Sequence, residues 1–348
     1  MTEPIPLPKG DGPVCFALLL QTYGQGPDTR WGEFLEVVKD AAAAGFAGVH
    51  VVDHFYMQTE RIYGSRVVDG EPDILECWTA LAGLAASTTG LWLGPLVSPV
   101  ALRNPVLIAK HAATVDRISE GRLILGLGTG WNRPEFESFG FPFDEDFSIR
   151  AQKLREGVEV IQKLFTEEGW VDFSGEHYQL NQAPFWPKPR QKPMPPLWFG
   201  GGGTTIRDLV GRVGDGWCPA AQHYKGFTPQ VYKEKLEDIR GRAEGVGRDV
   251  DAITPAITFL TSIAEERQEA LEGCALMRKR RDWSDIALED MEDRGVIVLG
   301  SPDECTAGVR RYVDAGARYV ILHIMPYDLA AARRAIELYA RHVLPQFI

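Results

Sequence analysis

The feature that most restricts how this chain can fold is a repeat in its hydrophobic pattern. A short apolar run of strand length is followed by a segment with helical spacing, and the unit recurs eight times. The apolar runs occupy 14–21, 48–55, 90–97, 122–128, 195–201, 214–219, 252–263 and 318–324. Helical segments lie at 29–45, 73–88, 104–119, 147–165, 205–213, 229–245, 265–280, 302–316 and 329–344. Continuous apolar strands between amphipathic helices fit a parallel sheet covered on its outside. Eight such units predict an α/β chain folded as a (β/α)8 TIM barrel, because a doubly wound sheet has no need of eight. The pattern predicts a single domain over 1–348, interrupted between the fourth and fifth strands by an insertion at approximately 166–196. The insertion reads as an exposed hairpin, 169–180, followed by "NQAPFWPKPRQKPMPP", whose six prolines suit a spacer or a polyproline ligand.

Charge and cysteine usage limit the partners. Acids outnumber lysines and arginines 48 to 37, so the net charge is −11 with no basic block, which argues against nucleic acid. An anionic cofactor is still allowed, since backbone amides and a local cation can hold a phosphate. The five cysteines are scattered and form no C-x-x-C, as expected of reduced thiols rather than a disulfide framework or a zinc ribbon. No apolar run reaches membrane-spanning length, and "MTEPIPLPKGDGP" lacks the pattern of a signal peptide, so a cytoplasmic protein is expected.

In a (β/α)8 barrel the loops after the strands gather at one rim, and chemistry belongs there. The fourth strand ends "LGLGTGWNRP", with Gly128, Thr129, Gly130 and Trp131 in sequence. Glycines at a strand end let something approach the backbone closely. The spacing is not the dinucleotide fingerprint, because the third glycine is missing and Trp131 and Pro134 follow where a helix should open. The fifth strand ends in Gly200, Gly201, Gly202 and Gly203, then Thr204 and Thr205, directly before a helix. Bare amides at a helix N-terminus favour an anion, which makes this loop the best phosphate site in the chain. The second strand ends "VHVVDHF", placing Asp53 and His54 at the rim. A rim histidine beside an acid suits proton transfer. Other readings of the same residues are a metal site formed by His50, Asp53 and His54, with His323 as a further strand histidine, or a purely structural pair. The third strand ends in a crowded turn, "LGPLVSP", and the sixth in "DGWCP", with Asp215 and Trp217.

The order of "VVDHF", "GRLILGLGTGWNRPEFESFGFPFDE", "GEHYQL", the proline-rich segment, "PPLWFGGGG" and "VGDGWCP" resembles the bacterial luciferase-like superfamily of flavin- and deazaflavin-dependent barrel enzymes. The resemblance runs from about 14 to about 345, and "VVDHF" and "RNPVLIAKHAATVDRISEGR" are most similar to the branch that uses coenzyme F420. It implies a non-proline cis peptide at Leu96–Val97, adjacent to Ser98, against the back of the cofactor ring. It implies that Gly128 to Trp131 and Gly200 to Thr205 hold the cofactor's tail and phosphate. It also implies that Asp53 and His54 lie near the reactive edge. Some sugar-phosphate dehydrogenases of this branch carry an acid directly after the glycine loop; Trp131 stands there in this chain, which argues against a sugar-phosphate substrate.

The expected activity is transfer of a hydride between C5 of coenzyme F420 and a small organic substrate. His54 is the expected proton donor or acceptor, with Asp53 orienting it or contacting the ring. The long segment after the second strand, 56–72, is expected to close over the substrate through Tyr56, Arg61, Tyr63 and Arg66. The alternative within the superfamily is an FMNH2-dependent monooxygenase fed by a reductase partner. Outside that pattern stand a non-catalytic flavin-binding barrel and a metal-dependent barrel hydrolase. No metal is expected, and a homodimer is implied by the resemblance.

Overall fold

The structure is a computed structural model that describes residues 3–20, 31–55, 74–223, 226–280, 287–325 and 329–348. Its centre is a ring of parallel strands. The strands are β1 (Cys15–Leu20), β2 (Gly48–Val51), β3 (Trp92–Pro95), β4 (Ser98–Pro99), β5 (Leu125–Gly128), the hairpin pair β6 (Trp170–Ser174) and β7 (Gln179–Pro184), then β8 (Leu197–Phe199), β9 (Gly216–Trp217), β10 (Thr254–Ile263), β11 (Ile297–Gly300) and β12 (Tyr319–Ile324). Around the ring, β3 pairs with β2, β2 with β1, β1 with β12, β12 with β10, β10 with β9, β9 with β8 and β8 with β5. A parallel bridge between Leu93 and Leu123 joins β3 to the chain entering β5, and β4 pairs with the end of β5, which closes the ring. Every residue of β1, β2, β10 and β12 is buried, as strands covered on both faces must be.

The helices form the outer layer where their caps and apolar faces place them. Asn104 caps the helix Pro105–Ile118 through Val106 N–H at 2.9 Å, with Pro105 in the first turn. Ser301 and Glu304 form a capping box at the start of Pro302–Asp314. The last helix stops at Leu338 and continues as a wider turn, Tyr339–Val343, and a 3-10 turn, Leu344–Gln346, short of the expected 344. Pro345 lies in that final turn and cannot continue an α-helical ladder.

β11 has no counterpart in the sequence reading, which runs helices across 265–280 and 302–316. It pairs with Leu260–Ile263 on the edge of β10 that β9 leaves after Ala220. Short helices at Arg133–Ser138 and Leu288–Asp293 are likewise additions. The insertion folds as expected into an antiparallel hairpin, β6 with β7. The Glu156 carboxylate, on the helix Phe147–Thr166, accepts the backbone N–H groups of Glu176, His177 and Tyr178 at 2.8–3.2 Å and holds the hairpin turn. The proline-rich segment is tied to the barrel by Gln191, whose amides donate to Asp116 at 2.7 and 2.9 Å. All five cysteines are buried free thiols.

Candidate active site

The rim is built around the end of β3. The Leu96–Val97 peptide bond is cis, at the position the resemblance marks. Leu96 and Val97 are half-buried, so an apolar shelf faces the mouth of the barrel. Glycines on the neighbouring strands make room for it. A Cβ on Gly126 would fall 2.2 Å from the Pro95 carbonyl oxygen, and one on Gly94 would fall 2.3 Å from that of Ile124. A Cβ on Gly128 would meet Val97 at 2.6 Å, and one on Gly200 would meet it at 3.1 Å. The Val97 side chain therefore lies between the glycine ends of the fourth and fifth barrel strands. Part of what approaches those glycines is the chain's own backbone and Val97, not a ligand.

Asp53 does not orient His54. Its carboxylate is buried and receives Arg103 through two nitrogens, at 3.0 and 2.8 Å, and the Ser98 hydroxyl at 2.6 Å. Ser98 in turn accepts the Trp78 indole N–H at 3.2 Å, so the buried Asp53 and Ser98 side chains are both held by neighbouring side chains. Arg103 also meets Glu76 at 2.6 Å and lies over the Phe55 ring at 4.8 Å. Burial pushes the Glu76 carboxyl up, but hydrogen bonds from Thr79 and Trp78 and the Arg103 charge outweigh it and hold the group below its usual value. A guanidinium between two carboxylates satisfies the buried Asp53 charge, which could not otherwise persist inside the protein.

The acid that meets His54 is Glu135. His54 Nδ1–H donates to Glu135 Oε2 at 2.9 Å, and the backbone N–H of Phe55 donates to Oε1 at 2.5 Å. Asn132 Nδ2 adds a longer contact to Oε2 at 3.3 Å. Glu135 is buried in the first turn of Arg133–Ser138, immediately beyond the fourth-strand glycines. With its carboxylate accepting from Phe55 N–H and from the imidazole, Glu135 places the ring proton on Nδ1 and leaves Nε2 as the acceptor. Nε2 has no hydrogen-bond partner among the described residues. Trp131 stands edge-on to the His54 ring at 5.7 Å and contacts His223 at 5.9 Å, so it borders His54 at the end of the fourth-strand glycines.

At the fifth strand the carbonyls of the glycine run are tied back. Gly201 O accepts the Trp217 indole N–H at 2.7 Å, while Gly202 O accepts Arg207 at 2.8 Å and Lys235 at 2.9 Å. In planar trans peptides this turns the N–H groups of Gly202 and Gly203 the opposite way. Gly201 sits at φ +110°, a conformation open to glycine. The helix Thr204–Val213 begins with no capping side chain, and a Cβ on Gly203 would meet nothing within 4 Å. The loop thus offers oriented amides, a helix N-terminus and free space, the donor set a phosphate needs. Thr204 is exposed and Thr205 half-buried at the same turn.

His50 is not part of this rim. It points into the barrel, where its Nε2 meets the Tyr319 hydroxyl at 3.3 Å and its ring stacks on Trp198 at 5.8 Å. His50 and His54 do not act from one strand face, because β2 ends at Val51 and His54 turns to Glu135. His323 lies within β12 opposite Leu260. Tyr56, Arg61, Tyr63 and Arg66 lie outside the described residues. Among the described residues, Glu156, Glu176 and His177 are close enough together to hold an ion, but Glu156 is already occupied by three backbone amides of the hairpin.

Residues 14–319 match the family model described as luciferase-like monooxygenase. The chain belongs to the luciferase-like monooxygenase family. Among the family's curated members, the chain is 28% identical to the F420-dependent glucose-6-phosphate dehydrogenase of Nakamurella multipartita, covering 96% of each chain. It is 30% identical to the protein of that name from Kineococcus radiotolerans, over 85% of this chain and 88% of that one. A solved F420-dependent secondary alcohol dehydrogenase in complex with an F420-acetone adduct superposes with a TM-score of 0.79 at 19% identity, over 97% of this chain and 99% of that one. That likeness establishes the barrel of the luciferase-like fold. The dyad, shelf and glycine loop described above are this luciferase-like chain's own geometry.

Proposed function

We propose that this chain is a coenzyme F420-dependent oxidoreductase that moves a hydride between the deazaflavin and a small organic substrate. The observation that carries the reading is the His54–Glu135 pair, whose Nε2 has no hydrogen-bond partner among the described residues, on a rim that also presents an apolar shelf and a helix start without a side-chain cap. Family membership and the names of the relatives above support the choice of F420.

The residues fit such a cofactor. Leu96 and Val97 offer a flat apolar surface to the back of its ring, and Gly200 to Thr205 offer amides to its phosphate. When bound, F420 supplies the hydride chemistry at C5, which the side chains cannot perform. The chain's part is to place and to move protons. His54 Nε2 takes a proton from a substrate hydroxyl, or returns one to a carbonyl, while Glu135 stabilises the charged imidazole. Arg103, Asp53 and Ser98 hold the ends of β2 and β3 in register beneath it.

Among the described residues no helix is long and apolar enough to cross a membrane. The homodimer and the cytoplasmic location expected from the sequence belong to the same proposal, and light scattering of purified protein tests the first. The deciding experiment for the function is a paired fluorescence titration with F420 and with FMN. Tight F420 and weak FMN binding is the expected result. The reverse would replace hydride transfer with an oxygen-dependent monooxygenase and call for a reductase partner.

A further inference from the structure

Building on the F420 reading, we infer that the substrate of this site is an uncharged compound with a flat aromatic or conjugated ring, held against Trp131 while its reacting group meets His54 Nε2. The relatives reported above are named for glucose 6-phosphate. The surroundings of His54 in this chain suit a different molecule.

The first observation is the lining. Trp131 is 47% exposed although its ring contacts both His54 and His223, so a face of the indole is open beside the dyad. Phe55, which follows His54, packs against Phe139 and Phe141 with ring centroids at 5.8 and 5.9 Å. Phe139 is itself 53% exposed. Large aromatic faces left open beside a half-buried histidine and its buried carboxylate partner are the composition of a ring-binding pocket, with few polar groups that fix orientation.

The second observation is charge. Asp53 and Glu135 are both buried here, with side-chain exposures of 0% and 1%. Among the described residues, the arginines on these segments are paired. Arg103 is held by Asp53 and Glu76, and Arg133 by Glu137 and Glu145. Among the described residues, a phosphate dianion brought to His54 would approach buried carboxylates while the arginines of these segments, Arg103 and Arg133, are already paired. An uncharged ring has no such penalty, and it buries the exposed faces of Trp131 and Phe139.

The test is calorimetric titration of the protein saturated with F420, using acetophenone, 1-phenylethanol, their cyclohexyl analogues and glucose 6-phosphate as probes. Saturable binding of the aromatic pair is expected, several-fold tighter than the cyclohexyl pair, with no binding of the sugar phosphate. Trp131→Ala should weaken the aromatic probes about tenfold, and Trp131→Phe should restore most of the loss. The inference is overturned if glucose 6-phosphate saturates the site, if neither aromatic probe binds at millimolar concentration, or if Trp131→Ala leaves their affinity unchanged. Binding of F420 itself is measured first. If F420 fails to bind, the parent reading fails, and the same probes are titrated into the cofactor-free protein, where the Trp131 comparison judges the ring site separately.

Discussion

At the scale of single residues, two acids near His54, one its chain neighbour and one brought in by the fold, have different tasks. Glu135 contacts the imidazole directly, whereas Asp53 supports the strand ends through Arg103. Substitutions separate the two roles. His54→Ala should lower kcat by about 10²–10⁴-fold, the range of a lost general acid or base, while the F420 dissociation constant changes little. Glu135→Gln should lower kcat by less and distort the pH profile, because the imidazole loses its charged partner. Asp53→Asn should act instead on the fold. It leaves a buried guanidinium with half its compensation, and about 3–5 kcal/mol of stability is at stake when one partner of such a pair is removed. Urea unfolding beside single-turnover hydride transfer distinguishes these outcomes. A stable but inactive Asp53→Asn protein would return that carboxylate to the chemistry.

Among the elements, the glycines are the clearest test of what each loop is for. Gly126→Ala drives a methyl into the Pro95 carbonyl, and melting should show a loss of about 1–3 kcal/mol or more. Gly203→Ala meets open space, so the fold should tolerate it. The methyl projects at the start of the helix Thr204–Val213, and F420 affinity should fall roughly tenfold with little change in melting, about 1.4 kcal/mol of binding. Equal cofactor affinity in both proteins would remove the phosphate from this loop. These loops were legible from the sequence because their signal is local: four adjacent glycines before a helix, and an acid and a histidine at a strand end. Glu135, Arg103 and Glu76 escaped it because their partners lie 81, 50 and 27 residues away, distances no local pattern spans. Glu135 stands only a few residues beyond the fourth-strand glycines, but the short helix that carries it was not read from the sequence. β11 was hidden differently. "VIVLG" between two glycines has the look of a strand, but eight units already completed the ring.

For the whole molecule, the barrel interior sets the response to acid. His50 is fully buried, its Nδ1 has no partner, and burial pushes its imidazole down to about 3. The unfolded chain titrates this group near 6.5, so between about 6.5 and 3 the unfolded state binds the extra proton. Stability from this residue is therefore complete above that range and declines as the pH falls through it, by up to about 1.4 kcal/mol per pH unit. His50→Gln should flatten this part of the acid limb in urea unfolding measured from pH 7 to pH 4. An unchanged slope would show that other groups control acid sensitivity. The barrel itself was readable from periodicity alone, since its eight apolar runs all became strands of the ring.

The Val97 side chain, seated between Gly128 and Gly200, ties the ring shelf to both glycine loops. A side chain larger than glycine at 128 would meet Val97 at 2.6 Å, and one at 200 would meet it at 3.1 Å, so enlargement at either loop presses on the shelf. A residue with a side chain at position 128 therefore calls for a smaller one at 97, so a change in one glycine loop reshapes the surface offered to the ring.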